Sequence, residues 1–385
     1  MSKEKNELSE IYRTYAEIDL EKIKHNGDVA QRIFRDSKIL CVLKADAYGH
    51  GIRGILPATE TFADLYAVAT VEEGLEVRAG SRKPVLLFGP VPTEKMLLAV
   101  RAGLIFTLGS REYASRLNKI VEEAGIAAEC HLKIDTGLNR SGIKWREGED
   151  FISEIAELYS HKNLNITGTY THFACGDGCT DWELEFTELQ FSRFKKACNV
   201  IRQAGYDMGS LHCTSTGGSL VHPEYRLDIV RLGMMPLGMS YSDESVTELG
   251  LVPALRWVSF VAAVKDLDMG ESVSYGCTFR AEKKMKVALV TCGYADGYRR
   301  SYSNKTFVLI GGRRVPVVGR VAMDYLMIDV SNIEDVSIGD EVVLLGEDMG
   351  DMISAQEISE RCDSVSGEVT CAISARVPRI YKQMK

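Results

Sequence analysis

The 385-residue sequence predicts an α/β protein, an N-terminal (β/α)8 barrel of the TIM type followed by a mostly β C-terminal domain. Three observations predict it. Between residues 38 and 240, eight short apolar runs alternate with longer amphipathic stretches, and eight βα repeats close a parallel sheet on itself. No GxGxxG turn follows the first run, as an open dinucleotide-binding sheet would require. Beyond about residue 250 the segments turn short and β-branched and are punctuated by Gly, Asp and Asn. The length exceeds what one hydrophobic core usually spans, so the chain divides into a barrel over 14–250 and a β domain over 251–385.

In chain order, residues 1 to about 12 are charged and expected to fray. A strand-like run at 14–20 precedes the first helix, and its pattern leaves open which domain it joins. The eight barrel runs are 38–44, 65–71, 84–89, 104–110, 127–135, 165–174, 210–218 and 228–238. Between them, 111–124 reads as a helix with Leu117, Ile120 and Val121 on one face. Likewise 182–204 reads as a helix presenting Phe186, Leu189, Phe194 and Val200. The later strands are 257–264, 286–292, 306–310, 315–318, 325–330 and 341–345.

Composition excludes several classes of function. With 46 basic against 54 acidic side chains the net charge is -8, which offers no field for nucleic acid or an anionic membrane. No apolar run approaches the length of a bilayer span, and residues 1–7 lack the apolar core of a signal peptide, so a cytoplasmic protein is expected. Ten cysteines in such a chain read as reduced thiols, with Cys41, Cys130 and Cys292 inside apolar runs. His172, Cys175 and Cys179 have a spacing that zinc accepts, but no fourth ligand follows, and no metal site is expected.

In a barrel of this kind the carboxyl ends of the strands converge on one rim, where active sites form. Lys44 ends the first run and Tyr48 follows it. Lys133, Asp135 and Arg140 end the fifth and His172 the sixth. Ser215-Thr216-Gly217-Gly218 follow the seventh, and Arg231, Gly233 and Met234 end the eighth. Small hydroxyl residues and glycines after the last two strands suit a phosphate held by backbone N–H groups, and a lysine on the same rim suggests pyridoxal phosphate. Taken singly, His172 also reads as a core histidine, Arg231 as the ion-pair partner of Asp228 or Asp135, and the glycines as a turn. Joint placement on one rim favours a site. All seven histidines lie at or before position 222, so an acid or base from the second domain must be another residue type. Tyr275, in Ser272-Val273-Ser274-Tyr275-Gly276, is the natural candidate.

Six stretches are distinctive in combination: Val42-Leu43-Lys44-Ala45-Asp46-Ala47-Tyr48-Gly49-His50-Gly51, Lys133-Ile134-Asp135-Thr136-Gly137, Thr171-His172-Phe173-Ala174, Val273-Ser274-Tyr275-Gly276, Gly293-Tyr294-Ala295-Asp296-Gly297 and Gly319-Arg320-Val321-Ala322-Met323-Asp324. Together they resemble the alanine racemase family of pyridoxal phosphate enzymes, from residue 14 to about 381, and the ending Arg376-Val377-Pro378-Arg379-Ile380-Tyr381 fits the same pattern. The resemblance implies that Lys44 carries pyridoxal 5'-phosphate and is the base on one face of the amino acid, with Tyr275 on the opposite face. It implies a homodimer with shared sites, Tyr275 and Met323 coming from the partner, and Arg140 binding the substrate carboxylate. Tyr48, Ser215, Thr216, Gly233 and Met234 align with phosphate contacts and Arg231 with the partner of the ring nitrogen. His172 lies beside the cofactor, Lys133 matches a position often carbamylated, and Tyr294 and Asp324 support the site. The substrate implied is alanine, in D-alanine biosynthesis.

The chain departs from the family pattern at three places. Gly367 stands where a tyrosine usually precedes the glutamate, Ser215-Thr216 replaces Asn-Ser, and Leu237 replaces a tyrosine. A glycine at 367 leaves space for a hydroxymethyl group, so serine or a broader set of amino acids is the alternative substrate. A decarboxylase on the same barrel would carry a carboxylate at Arg231 and a cysteine-bearing acidic motif that this chain lacks. A non-catalytic pyridoxal phosphate-binding protein is the alternative of another class, but such proteins resemble the barrel alone.

Overall fold

A computed structural model describes residues 10–240 and 242–384. Most of the segment expected to fray, residues 1–9, lies outside them. β1 (Thr14–Asp19) runs straight into α1 (Leu20–Ile33) because Asp19 caps the helix, its carboxylate accepting from the N–H groups of Glu21 and Lys22 at 3.0 and 3.2 Å. Eight parallel strands then build the barrel: β2 (Lys38–Val42), β3 (Leu65–Val68), β4 (Val85–Leu87), β5 (Leu104–Leu108), β6 (Ala128–Asp135), β7 (Leu164–Tyr170), β8 (Ser210–His212) and β9 (Ile229–Leu232). From β2 to β8 each strand pairs with the next in sequence, and β9 pairs with β2. The remaining seam, β8 to β9, is bridged by single bonds. Asp228 Oδ2 accepts from the Leu211 N–H at 2.7 Å, and the Arg231 N–H reaches the Thr214 carbonyl at 3.4 Å.

Side chains alternate across each strand, so one set points into the barrel. From β2 to β5 that set is aliphatic: Leu40, Val42, Leu65, Ala67, Leu86 and Ile105 pack with Ile229 in one buried cluster. From β6 to β9 it is polar, comprising His131, Lys133, Tyr170, His212 and Arg231, all buried. The outward faces of the strands pack under α2 (Ile52–Thr59), α3 (Val71–Arg78), α4 (Thr93–Arg101), α5 (Arg111–Glu123), α6 (Glu149–Ser160), α7 (Asp181–Gln203) and the short α8 (Thr216–Val221). Thr70 and Thr180 start α3 and α7 with capping boxes closed by Glu73 and Glu183.

α5 buries Leu117 and Val121 as expected, but α7 is turned from the face its apolar pattern suggests. Leu189 is exposed and Phe186 half-buried, whereas Thr187, Gln190, Phe191, Phe194, Ala197, Cys198 and Ile201 face inward. The reason is polar. Thr187 Oγ1 donates to the Cys175 carbonyl and the Gln190 amide binds both the Ala174 N–H and the His172 carbonyl, so these two residues anchor the rim loop and fix the rotation of the helix.

After α9 (Asp243–Glu248) the second domain is mostly β: β10 (Leu255–Leu267), β11 (Met285–Val290), β12 (Phe307–Ile310), β13 (Arg313–Pro316), β14 (Leu326–Asp329), β15 (Glu341–Asp348), β16 (Asp351–Ile353) and β17 (Arg379–Lys382). Two helices, α10 (Ala355–Arg361) and α11 (Ser366–Cys371), interrupt it. The main sheet runs β13-β12-β15-β10-β1-β17, and β11 joins β10 to β14. β1 therefore pairs in the second sheet, antiparallel to β10 and parallel to β17, although it precedes the barrel. A division of the chain at residue 250 cuts across these ladders.

Burial holds the His50 and His131 imidazoles down to about 4. Both are neutral in the folded protein and bind a proton in the unfolded chain below about pH 6.5, so the stability they contribute is intact above that pH and lost as pH falls toward 4. The loss is on the order of 3 kcal/mol for each histidine. Urea unfolding across this window should show stability falling with pH, and His50→Gln should flatten the fall; equal slopes in the two proteins would contradict the assignment.

Candidate active site

β2 ends at Val42, and after Leu43 Lys44 begins a turn of the rare hand. Ala45, Asp46, Ala47 and Tyr48 have φ of 55, 51, 54 and 52°, followed by Gly49 at 82°. A left-handed conformation costs a residue with a Cβ about 1–2 kcal/mol, so tertiary contacts must hold this turn. The Ala45 N–H donates to Glu73 Oε1 at 2.6 Å and the Ile52 N–H to Asp46 Oδ1 at 2.8 Å. From the second domain, Arg379 Nε donates to the Gly49 carbonyl at 3.1 Å and the Tyr381 hydroxyl to the His50 carbonyl at 3.0 Å. α11 closes over the turn so tightly that a Cβ on Gly49 would lie 2.2 Å from the Thr370 carbonyl oxygen.

Beside the turn lies a small polar cradle. Ser215 precedes α8, yet its hydroxyl makes no capping bond. Thr216 Oγ1 accepts from the Gly233 N–H at 3.2 Å, tying the loop after β8 to the one after β9. A Cβ on Gly233 would lie 2.4 Å from the Tyr48 hydroxyl, so the glycine lets the phenol rest against the backbone. Burial pushes that phenol's pKa up. Thr214 Oγ1 is wholly buried and has no hydrogen-bond partner among the described residues. Gly367 of α11 faces Tyr48 and Met234: a Cβ there would make ordinary contact, 3.5 Å from Tyr48 Cδ1 and 3.9 Å from Met234 Sδ.

Arg231 occupies the centre of the polar half of the barrel and is 4% exposed. Its Nη1 donates to His212 Nδ1 at 3.0 Å, and its Nη2 contacts the carbonyls of Thr171 and Cys213 and Nδ1 of His172 at 3.0, 2.8 and 2.9 Å. Burial lowers its pKa to about 10, which leaves it charged at neutrality. The ion pair considered from sequence does not form. Asp135 Oδ1 accepts from Gly137 and Asn139, and Asp228 serves Leu211 and Lys38 through its side chain and carbonyl. Burial, and then the charge of Arg231, holds both His172 and His212 well below the ordinary imidazole pKa.

Two lysines share the rim with Arg140. Lys133 Nζ donates to Ser141 Oγ at 2.7 Å, and burial, then the charges of Arg140 and Arg231, lower its pKa to about 8. Lys44 is lowered chiefly by burial and next by Arg140. Arg140 itself is exposed and has no hydrogen-bond or ion-pair partner among the described residues.

Tyr275, Tyr294, Met323 and Asp324 belong to the second domain, and among the described residues no hydrogen bond or ion pair joins them to Lys44, Arg140 or Arg231 within one chain. Tyr275 tips a hairpin between Ser272–Val273 and Phe279–Arg280 and is 69% exposed. Its loop is braced by Ser274 Oγ, which donates to the Arg320 carbonyl at 2.6 Å. Met323 and Tyr294 are also exposed. Asp324 accepts from Arg376 Nη2 at 2.8 Å, fixing the Met323 loop to the end of the chain. Sequence reasoning missed His131, His212, Glu73 and Cys371. The first was legible, since it lies two residues before Lys133 on a strand and so shares its face. Cys371 lies on α11, where its thiol and the Lys44 amine influence each other.

Known proteins resemble this chain over nearly its full length. Residues 18–241 match the family model described as alanine racemase, N-terminal domain, and residues 254–381 that described as alanine racemase, C-terminal domain. Alanine racemases of Methanococcus maripaludis and Halothermothrix orenii are 39% and 37% identical, over 95% and 96% of this chain and 98% and 97% of theirs. The solved alanine racemase of Clostridium difficile 630 superposes with a TM-score of 0.88 at 33% identity, covering 96% of each chain. That of Bacillus anthracis, with bound L-Ala-P, gives 0.87 at 31% identity over 96% of this chain and 95% of that one.

Because the charge of Arg140 adds to burial in lowering the pKa of both lysines, Arg140→Ala should raise them and slow acylation of Lys44 and Lys133 at about pH 8. Peptide mass spectrometry reads the labelling, with Lys305 as reference; unchanged rates at both sites would refute the coupling.

Proposed function

The chain belongs to the alanine racemase family, and from that premise we propose that it interconverts L- and D-alanine with pyridoxal 5'-phosphate held around Lys44. The observation that carries this reading is Arg231, a buried cation whose partners are imidazoles and carbonyls and include no carboxylate among the described residues. The donor set suits the cofactor. Tyr48, the Ser215 hydroxyl that makes no capping bond, Thr216 and the backbone N–H groups of Gly233 and Met234 would hold its phosphate, and Gly233, where a Cβ would meet the Tyr48 hydroxyl, keeps the cradle open at its backbone. Arg231 would face the ring nitrogen with His172 beside it. When bound, pyridoxal 5'-phosphate supplies an electron sink for the charge left at Cα.

The protein's own groups perform the rest. Arg231 keeps its proton, so it leaves the sink weak and disfavours side reactions that need a long-lived carbanion. Lys44 Nζ, whose pKa is lowered, takes or returns the Cα proton on one face, and the Tyr275 hydroxyl does so on the other. Two opposed bases invert the centre. Arg140, which has no hydrogen-bond or ion-pair partner among the described residues, would clamp the substrate carboxylate with the Met323 N–H. The exposure of Tyr275, Tyr294 and Met323 supports a homodimer in which these residues, with Asp324 behind them, complete the site of the neighbouring copy. A pKa of about 8 leaves part of Lys133 as free amine and suits carbamylation, which would set a carboxylate beside Arg140. Ten unpaired thiols suit a cytoplasmic setting. Among the described residues no helix is long and apolar enough to cross a membrane. We retain the division into a cofactor-binding barrel over 14–250 and a β domain over 251–385, with β1 lent across it.

A second reading, serine or a broader set of amino acids, is favoured by Gly367, because it presents no side chain toward Tyr48 and Met234, and even a Cβ there would make only ordinary contact with them.

Purified protein should absorb visible light after addition of pyridoxal 5'-phosphate, and Lys44→Ala should abolish the band; a protein that stays colourless defeats the proposal. Tyr275→Phe should keep the cofactor and lower kcat by about 10³ or more, within the range for loss of an acid–base group. Gly367→Tyr should raise kcat/KM for alanine relative to serine by roughly tenfold. An unchanged ratio would remove Gly367 as a determinant of specificity.

A further inference from the structure

The barrel floor contains a histidine for which the mechanism above has no use. His131 on β6 is 3% exposed, and its neighbours in the strand, Cys130 and Leu132, belong to the apolar core. Burying a neutral imidazole there carries a desolvation cost that an aliphatic residue would avoid. His131 Nδ1 lies 3.0 Å from His212 Nε2, and His212 Nδ1 lies 3.0 Å from Arg231 Nη1. The donor inventory allows one assignment. A guanidinium has only donors, so His212 Nδ1 accepts; the neutral ring then carries its proton on Nε2 and donates it to His131 Nδ1. The polarity runs from Arg231 to His212 to His131.

Two neighbours serve this chain of bonds. A Cβ on Gly168 of β7 would lie 2.6–2.7 Å from three atoms of the His131 ring, so the glycine makes the room the ring occupies. Tyr170 stacks on His212 with centroids 4.6 Å apart and planes 10° from parallel. Stacking fixes the plane of the His212 ring but leaves open which edge faces the guanidinium. The guanidinium on one side and a directional acceptor on the far side together decide that.

We propose that His131 is a positioning residue for Arg231: by accepting the His212 Nε2–H it fixes the edge that His212 presents to the guanidinium and so the aim of Arg231. The proposal rests on the reading that Arg231 serves the cofactor ring. It follows the logic of metal sites, where the outer partner of a histidine sets the ring's orientation.

Three variants test it. His131→Leu removes the acceptor, His131→Asn keeps an acceptor oxygen near the place of Nδ1, and Gly168→Ala displaces the ring without changing its chemistry. In holoenzyme, His131→Leu and Gly168→Ala should lower kcat about tenfold with KM nearly constant and shift the visible band of the bound cofactor, while His131→Asn stays within about threefold of the parent. In apoprotein labelled with 15N-histidine, the His212 ring should show Nδ1 accepting and Nε2 protonated throughout, with the Nε2–H resonance of a hydrogen-bonded group in the parent and in His131→Asn and that signature lost in His131→Leu. Circular dichroism checks that each variant folds. A His131→Leu enzyme that matches the parent in kcat, band and ring spectrum overturns the proposal, as does a His131→Asn enzyme no better than His131→Leu. A parent protein that takes up no cofactor would defeat the functional reading instead, and the apoprotein spectra would still decide this one.

Discussion

One buried cation organises the interior of the barrel. Removing the Arg231 guanidinium from water carries a large desolvation penalty, so each of its donors needs an acceptor. A carboxylate would satisfy it most simply, but this fold uses two imidazoles and two carbonyls instead. Much follows from that choice. The positive charge stays uncompensated nearby, so it adds to burial in lowering the pKa of His172, His212 and Lys133. Neutral imidazoles accept from an arginine only in one tautomer, so the polarity of the network is set by its central member. His212 and, behind it, His131 extend the same network across the polar half of the lumen, and Gly168 leaves the room that the His131 ring occupies.

A second constraint ties the two domains together. The turn after Lys44 is wound against the preference of L-residues over four successive positions, and the barrel supplies only some of the bonds that hold it. Arg379, Tyr381 and α11 supply the others from the end of the chain. The lysine is thus oriented by residues more than 300 positions away. β1 makes the connection rigid, because it enters the second sheet between β10 and β17 and then leads directly into α1 of the barrel. Shared ladders and a shared turn mean that neither domain can shift without disturbing the Lys44 amine.

Local pattern carried much of the fold. Seven of the eight apolar runs contain a barrel strand and the run 165–174 starts one residue inside Leu164–Tyr170, and the helices read at 111–124 and 182–204 end within a residue of Arg111–Glu123 and Asp181–Gln203. Where pattern failed, a polar group had been buried for a structural task. α7 is rotated because Thr187 and Gln190 bind loop carbonyls and N–H groups, which leaves Leu189 outside. Hydrophobic periodicity cannot register that, since it assigns polar residues to water. β1 was ambiguous because a strand's partner is decided by long-range hydrogen bonds, not by its own alternation. The rim residues Lys44, Tyr48, Lys133, His172, Thr216 and Arg231 were legible because each follows a strand or ends one. His212 and Glu73 were not, because their roles exist only through the groups they touch.

The sequence by itself determined the alternation of elements, the chemistry at the strand ends and the family to which that combination belongs. All three are local in the chain: periods of 2 and 3.6 residues, and short motifs whose members lie within ten positions of one another. Tertiary structure alone decided that β1 belongs to the second sheet, that Arg231 has imidazole rather than carboxylate partners, and that Gly367 opens onto Tyr48 and Met234. These depend on which residues distant in sequence are brought within bonding distance. Closure of the barrel and docking of α11 and β17 against it set those distances, and no period along the chain encodes them.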